Sequence, residues 1–262
     1  MARDGSAIGA VIGVGVFAGA VFLISRPASA MTRGSPRERS FPAPEGPIGK
    51  FPPLVERWRA EVAKRSGDLP VDAILEWIQI ESGGDMCSTG MPGEAGIFQL
   101  SFPDDAKYGA TLERLRAICE RSKRQNPADI SWLSEEDLDM EVGAGIRKIL
   151  AARDTVRHVF SQNGVSWPEA SFDFGSAVKQ IHATPGVITE LVPKIARAGG
   201  PPANWPDLRQ RVLAFPANQM SPRLRQLALA PSHYGLSSRL EDTLRNAEFV
   251  GRVWTGSHAA YA

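Results

Sequence analysis

Three observations predict a mainly α-helical chain. From residue 54 onward, apolar side chains recur at the three- and four-residue spacing of helices. Ser, Asn and Pro starts and glycine stops punctuate them, and no useful run alternates apolar with polar as a half-buried strand does. The 262 residues suffice for one or two compact domains with a sizeable core. With 30 Lys and Arg against 29 Asp and Glu, the chain has no electrostatic footprint for nucleic acid, nor a strongly basic face for anionic wall polymers.

Residues 7–25 form an uncharged apolar run. As a helix it is about 28 Å long, enough to cross a bilayer core. We expect an N-terminal transmembrane anchor over residues 1–25. The alternative is a cleaved signal segment, since Ala28-Ser29-Ala30 fits a small-x-small cleavage site. Either way, the body is expected outside the cytoplasm. Arg26, Arg33, Arg37 and Arg39 follow the span and oppose that orientation by the positive-inside rule, so the expectation rests on the chemistry inferred below. The Gly9/Gly13 and Gly15/Gly19 pairs offer a helix-dimer face, although small residues are common in such spans. Residues 26–53 carry seven prolines and little apolar periodicity, and read as an extended linker reaching on the order of 80 Å.

Leu54, Val55, Trp58 and Val62 make the first helical stripe, which ends at Gly67. Pro70 then fixes φ where a helix can begin, and Gly83-Gly84 stops it after about three turns. Val71, Ile74, Trp77 and Ile78 share one face, and Glu81 returns to within about 20° of Ile74, while Glu76 points the other way. Burial and the negative end of the helix dipole both raise the pKa of a carboxyl at such a place, so Glu81 is expected to stay protonated near neutral pH. A neutral acid in an apolar cleft suits cleavage of a glycosidic bond, whose leaving oxygen needs a proton.

Further along, Leu112, Leu115, Ile118 and Cys119 form another stripe. Ser134-Glu-Glu-Asp137 resembles a capping box opening a long helix, with Leu138, Val142, Ile146, Ile149, Leu150, Val156 and Phe160 inward. Gly143 and Gly145 cost helix propensity there and imply close approach of another helix. Ser166-Trp-Pro-Glu169 is expected to start the next helix. Asn204-Trp-Pro-Asp207, Ser221-Pro222 and Ser237-Ser238 mark later starts, and Leu240, Leu244, Ala247, Gly251 and Trp254 form a last stripe. The expected body is thus a domain over residues 54–186 with a helical C-terminal extension over 187–262.

Cys87 and Cys119 flank the loop after the Glu81 helix. In an oxidising compartment they are candidates for a disulfide pinning that loop; otherwise they are small core residues. The four histidines and two cysteines show no metal-ligand spacing, so neither a metal nor a cofactor is expected.

Glu81-Ser82, followed by Gly93-x-x-Gly96-Ile97-Phe98-Gln99, resembles the signature of the soluble lytic transglycosylase family, related in fold to goose-type lysozyme. The close resemblance covers roughly residues 69–103, with weaker support to Gly186. Glu94 stands where the family has Ala, and Ile97-Phe98 where it has Leu-Met. Ser171-Phe172-Asp173-Phe174-Gly175 falls where the family shows Ala-Tyr-Asn-x-Gly, with Phe172 for the Tyr that faces the acid and Asp173 for Asn.

The resemblance implies a lysozyme-like helical domain that cleaves peptidoglycan glycan strands between N-acetylmuramic acid and N-acetylglucosamine. Glu81 would be catalytic, with Ser82, Gly93, Gly96, Gln99, Phe172 and Asp173 at the substrate. It also implies the cell envelope as location, whether the protein serves wall turnover, an envelope secretion or conjugation machine, or a virion. Two alternatives remain open: a hydrolytic muramidase, whose water activator would be Asp85, Asp104, Asp105 or Asp173, and a non-catalytic, membrane-anchored wall-binding module.

Overall fold

The computed structural model describes residues 50–88, 93–101 and 107–255, all within the unit Phe41–Ala262. The expected membrane segment, residues 26–49 of the linker, and Asp104 and Asp105 lie outside the described residues. Among the described residues, no helix is long and apolar enough to cross a membrane.

Helices dominate. α1 (Pro53–Glu56) and α2 (Arg59–Arg65) lead to α3 (Val71–Ser82), which starts after Pro70 as expected and closes on Gly83 at φ +64°. A minimal antiparallel hairpin follows, β1 (Glu94–Ala95) with β2 (Leu100–Ser101), pairing Glu94 with Ser101 and Ala95 with Leu100. α4 (Leu112–Ser122) begins at Thr111, whose hydroxyl accepts from Arg114 N. The Ser134/Asp137 capping box opens α5 (Glu135–Leu138).

The expected long helix is interrupted by a π-helical turn (Asp139–Gly143) before α6 (Ala144–Gln162). α7 (Phe172–Ala183) begins at Ser171 rather than near Ser166. There Trp167 is spent elsewhere: its indole donates to Pro202 O at 3.0 Å and packs edge-on against Phe160, and 165–168 lie outside any helix. A second π-helical turn (Val187–Leu191) leads to α8 (Val192–Gly199), α9 (Trp205–Leu213), α10 (Pro222–Leu229) and α11 (Arg239–Trp254). Asn204 and Ser238 cap α9 and α11 as their sequence positions predict.

α7 lies at the centre, with α6 on one side and α11 along another; α11 also crosses α3. The crossing of α7 and α11 is close because both carry glycine at the contact. A Cβ on Gly175 would come within 2.4 Å of Trp254, and one on Gly251 within 2.1 Å of Ser176 Oγ. Residues 187–255 therefore pack into the same body. Trp58, Trp77 and Trp205 are fully buried, and truncating any of them to alanine should cost about 3–5 kcal/mol. Gly145 is approached closely, but by the Phe98 ring of the hairpin rather than by another helix; Gly143 is covered by Asp139 of its own turn.

Candidate active site around Glu81

The end of α3 is held from outside. Gly84, at φ +81°, lies so close to Leu54 O that a Cβ would approach to 2.2 Å, and its carbonyl accepts from Arg57 Nη2 at 2.8 Å and Trp58 Nε1 at 3.0 Å. Ser82 Oγ is 2.8 Å from Ile97 O and accepts from Gly84 N, joining α3 to the hairpin. Gln99 adopts φ +49° and its amide donates to Gly96 O and Ser88 O at 2.8 and 2.9 Å. Both side chains are buried, and both hold the hairpin in place. The disulfide Cys87–Cys119 ties the loop after α3 to α4.

Glu141 of the π-helical turn supports the hairpin from below: its Oε2 accepts from Ile97 N at 3.0 Å, and Gly96 has room only for hydrogen above that oxygen. Burial pushes the Glu141 carboxyl up to about 8, more than Arg57 can offset. The neutral buried acid expected at Glu81 is therefore found at Glu141, where it serves the hairpin.

Glu81 itself is ionised, contrary to expectation. Its Oε1 accepts a hydrogen bond from Lys179 Nζ and lies 3.1 Å from His182 Nε2, both on α7. Burial pushes the Glu81 carboxyl upward, but these two neighbours more than offset it and hold it well below the usual range. Periodicity placed Glu81 correctly in an apolar stripe; it cannot reveal a cation delivered from another helix.

Lys179 is 1% exposed, and its ammonium sits over the Trp77 ring, 4.5 Å from the centroid. Burial also pushes His182 down to about 4, so at neutral pH its Nε2 carries the hydrogen donated to Glu81. Its Nδ1 has no partner among the described residues. Lys148 of α6 and Glu94 of β1 act on Lys179 at longer range. The Glu81 side chain is 19% exposed.

Phe172 and Asp173 stand elsewhere. Phe172 is seven residues, about 10 Å along α7, before Lys179, against Gly251 of α11. Asp173 Oδ1 accepts from Trp205 N at 2.7 Å and so starts α9. Asp85 closes a local turn by accepting from Cys87 N. Glu76, on the far face of α3, is covered by α11 near Arg252; burial pushes it up to about 7.

Sequence reasoning missed Lys179, His182, Glu94, Lys148 and Glu141. For the first two a signal existed: a Lys and a His three apart amid Ala177, Val178 and Ile181. Among the described residues, no group of three or more His, Cys, Asp or Glu could hold a metal. A groove of about 540 Å³ opens elsewhere, beside Arg157, His158 and Trp167, but its arginine is already paired with Glu169 and Asp154. No family model, curated protein or solved structure matches the chain.

Proposed function

We propose that this chain is a lytic transglycosylase of lysozyme-like fold, cleaving the β-1,4 bond between N-acetylmuramic acid and N-acetylglucosamine, with Glu81 as its catalytic residue. The observation carrying the reading is the setting of Glu81: a partly exposed side chain at a helix end, beside a hairpin braced by Ser82, Gln99, Glu141 and the disulfide. A fixed wall next to a partly exposed acid side chain is what positioning a scissile glycosidic bond requires.

Glu81, once protonated, gives that proton to the glycosidic oxygen as the C1–O bond breaks. It then takes the proton of the muramyl 6-hydroxyl as that oxygen attacks C1 and closes a 1,6-anhydro ring. The substrate brings its own nucleophile, so no water activator is needed. Hydrolysis is less well supported, because Asp85 and Asp173 are both engaged in backbone capping. The body is placed on the envelope side of a membrane anchor at residues 7–25.

One observation favours a second reading, a non-catalytic wall-binding module: Glu81 is held ionised by Lys179. Digestion of purified sacculi separates the two. Mass spectrometry should find 1,6-anhydromuropeptides, and Glu81→Gln should lower their release by about 10²–10⁴-fold. Reducing ends would point to hydrolysis, and sacculus binding without any release would leave the wall-binding module.

A further inference from the structure

We propose that Lys179 is the proton store of Glu81, a positioning residue that never touches the glycan but lends its proton to the carboxylate for each turnover. The inference rests on the reading of Glu81 as the group that cleaves. Its basis is the contact between the two side chains: Glu81 is partly exposed, whereas Lys179, hydrogen-bonded to its Oε1, is almost without exposure.

The groups facing Lys179 are Glu81 and Trp77 of α3, His182 on its own helix, Lys148 of α6 and Glu94 of β1. Burial and Lys148 favour loss of its proton; Glu81 and Glu94 oppose it, and the net direction is downward from the ordinary lysine value. A bound glycan strips water from the exposed part of Glu81. That penalises the separated charges relative to the neutral pair of carboxylic acid and amine.

The cycle balances. An Nζ–H bond of Lys179 breaks as Oε1–H of Glu81 forms. That proton passes to the glycosidic oxygen, which keeps the electron pair of the broken C1–O bond. The 6-hydroxyl oxygen bonds to C1, its proton goes to Glu81, and from there to Lys179. No proton is consumed and no water is added.

The test is the pH profile of kcat/KM for sacculus cleavage by the full chain and two variants, with folding checked by circular dichroism. In the wild type the pair keeps its shared proton through neutral pH, so activity should stay level there and fall only as Lys179 loses its proton at alkaline pH. Lys179→Arg keeps the charge but gives up no proton, and should lose about 100-fold or more from pH 5 to 9. Lys179→Met frees Glu81 to hold its own proton. It should stay within about 10-fold of wild type at pH 5 and fall about tenfold per pH unit once that proton is lost.

A purely structural ion pair predicts the reverse order, with Arg active and Met inactive at every pH; either result overturns the relay. If a variant fails to fold, the wild-type profile decides, since a fall beginning in the ordinary carboxyl range overturns the relay alone. Wild-type protein without cleavage at any pH overturns both the relay and the assignment of Glu81.

Discussion

Glu81→Gln should destabilise the protein in a pH-dependent way, because the substitution strands Lys179. In that variant the buried amine either stays charged, costing about 3–5 kcal/mol, or sheds its proton. Shedding it from an ordinary value near 10.4 costs about 4–5 kcal/mol at pH 7 and about 2 kcal/mol at pH 9. The Gln amide oxygen still accepts from Lys179 or His182, recovering about 1 kcal/mol. The net loss is then about 3–4 kcal/mol at pH 7 and about 1 kcal/mol at pH 9.

The sign follows from proton counting. Between these pH values the unfolded variant binds more protons than the folded one, so the variant gains stability as pH rises. At about 2–4 °C per kcal/mol, Tm should fall by about 6–16 °C at pH 7 and by about 2–4 °C at pH 9. Thermal unfolding followed by circular dichroism reads both values, and Glu81→Gln/Lys179→Met should recover most of the pH 7 loss. An equal fall at the two pH values, or none at pH 7, would refute the stranding of Lys179.

Gly145→Ala drives a methyl to 2.1 Å from Phe98 Cδ2; we expect a loss of about 1–2 kcal/mol in denaturant unfolding even though alanine favours the helix. Glu141→Gln should overtake wild type as pH rises. The wild-type carboxyl is pushed up from 4.5 to about 8, so the stability its proton supplies falls away as pH rises from about 4.5 to 8, by about 4 kcal/mol at pH 8. Urea titrations at pH 5 and pH 8 check this. Cys87→Ser/Cys119→Ser opens a cross-link spanning 32 residues and should cost about 3–4 kcal/mol. Thiol labelling of exported wild type should find no free cysteine before reductant is added.

The elements readable from sequence are those made by neighbours. Pro70 before α3, the Ser134/Asp137 box, Asn204 and Ser238 each act within about four residues of the helix they start. The stripe from Leu240 to Trp254 likewise needs only helical period to face inward, and its members are buried. Gly145 announced a close approach without naming the partner, since Phe98 comes from another part of the chain.

The start of α7 falls at Ser171, five residues after the expected Ser166. The bond of Trp167 to Pro202, 35 positions away, keeps the chain around it out of the helix. Glu81 is the sharpest case. Its place on the helix follows from local period, whereas its charge depends on Lys179, 98 positions further on. A carboxyl and an ammonium interact through space as the inverse of their separation, and only the packing of α7 on α3 sets that separation.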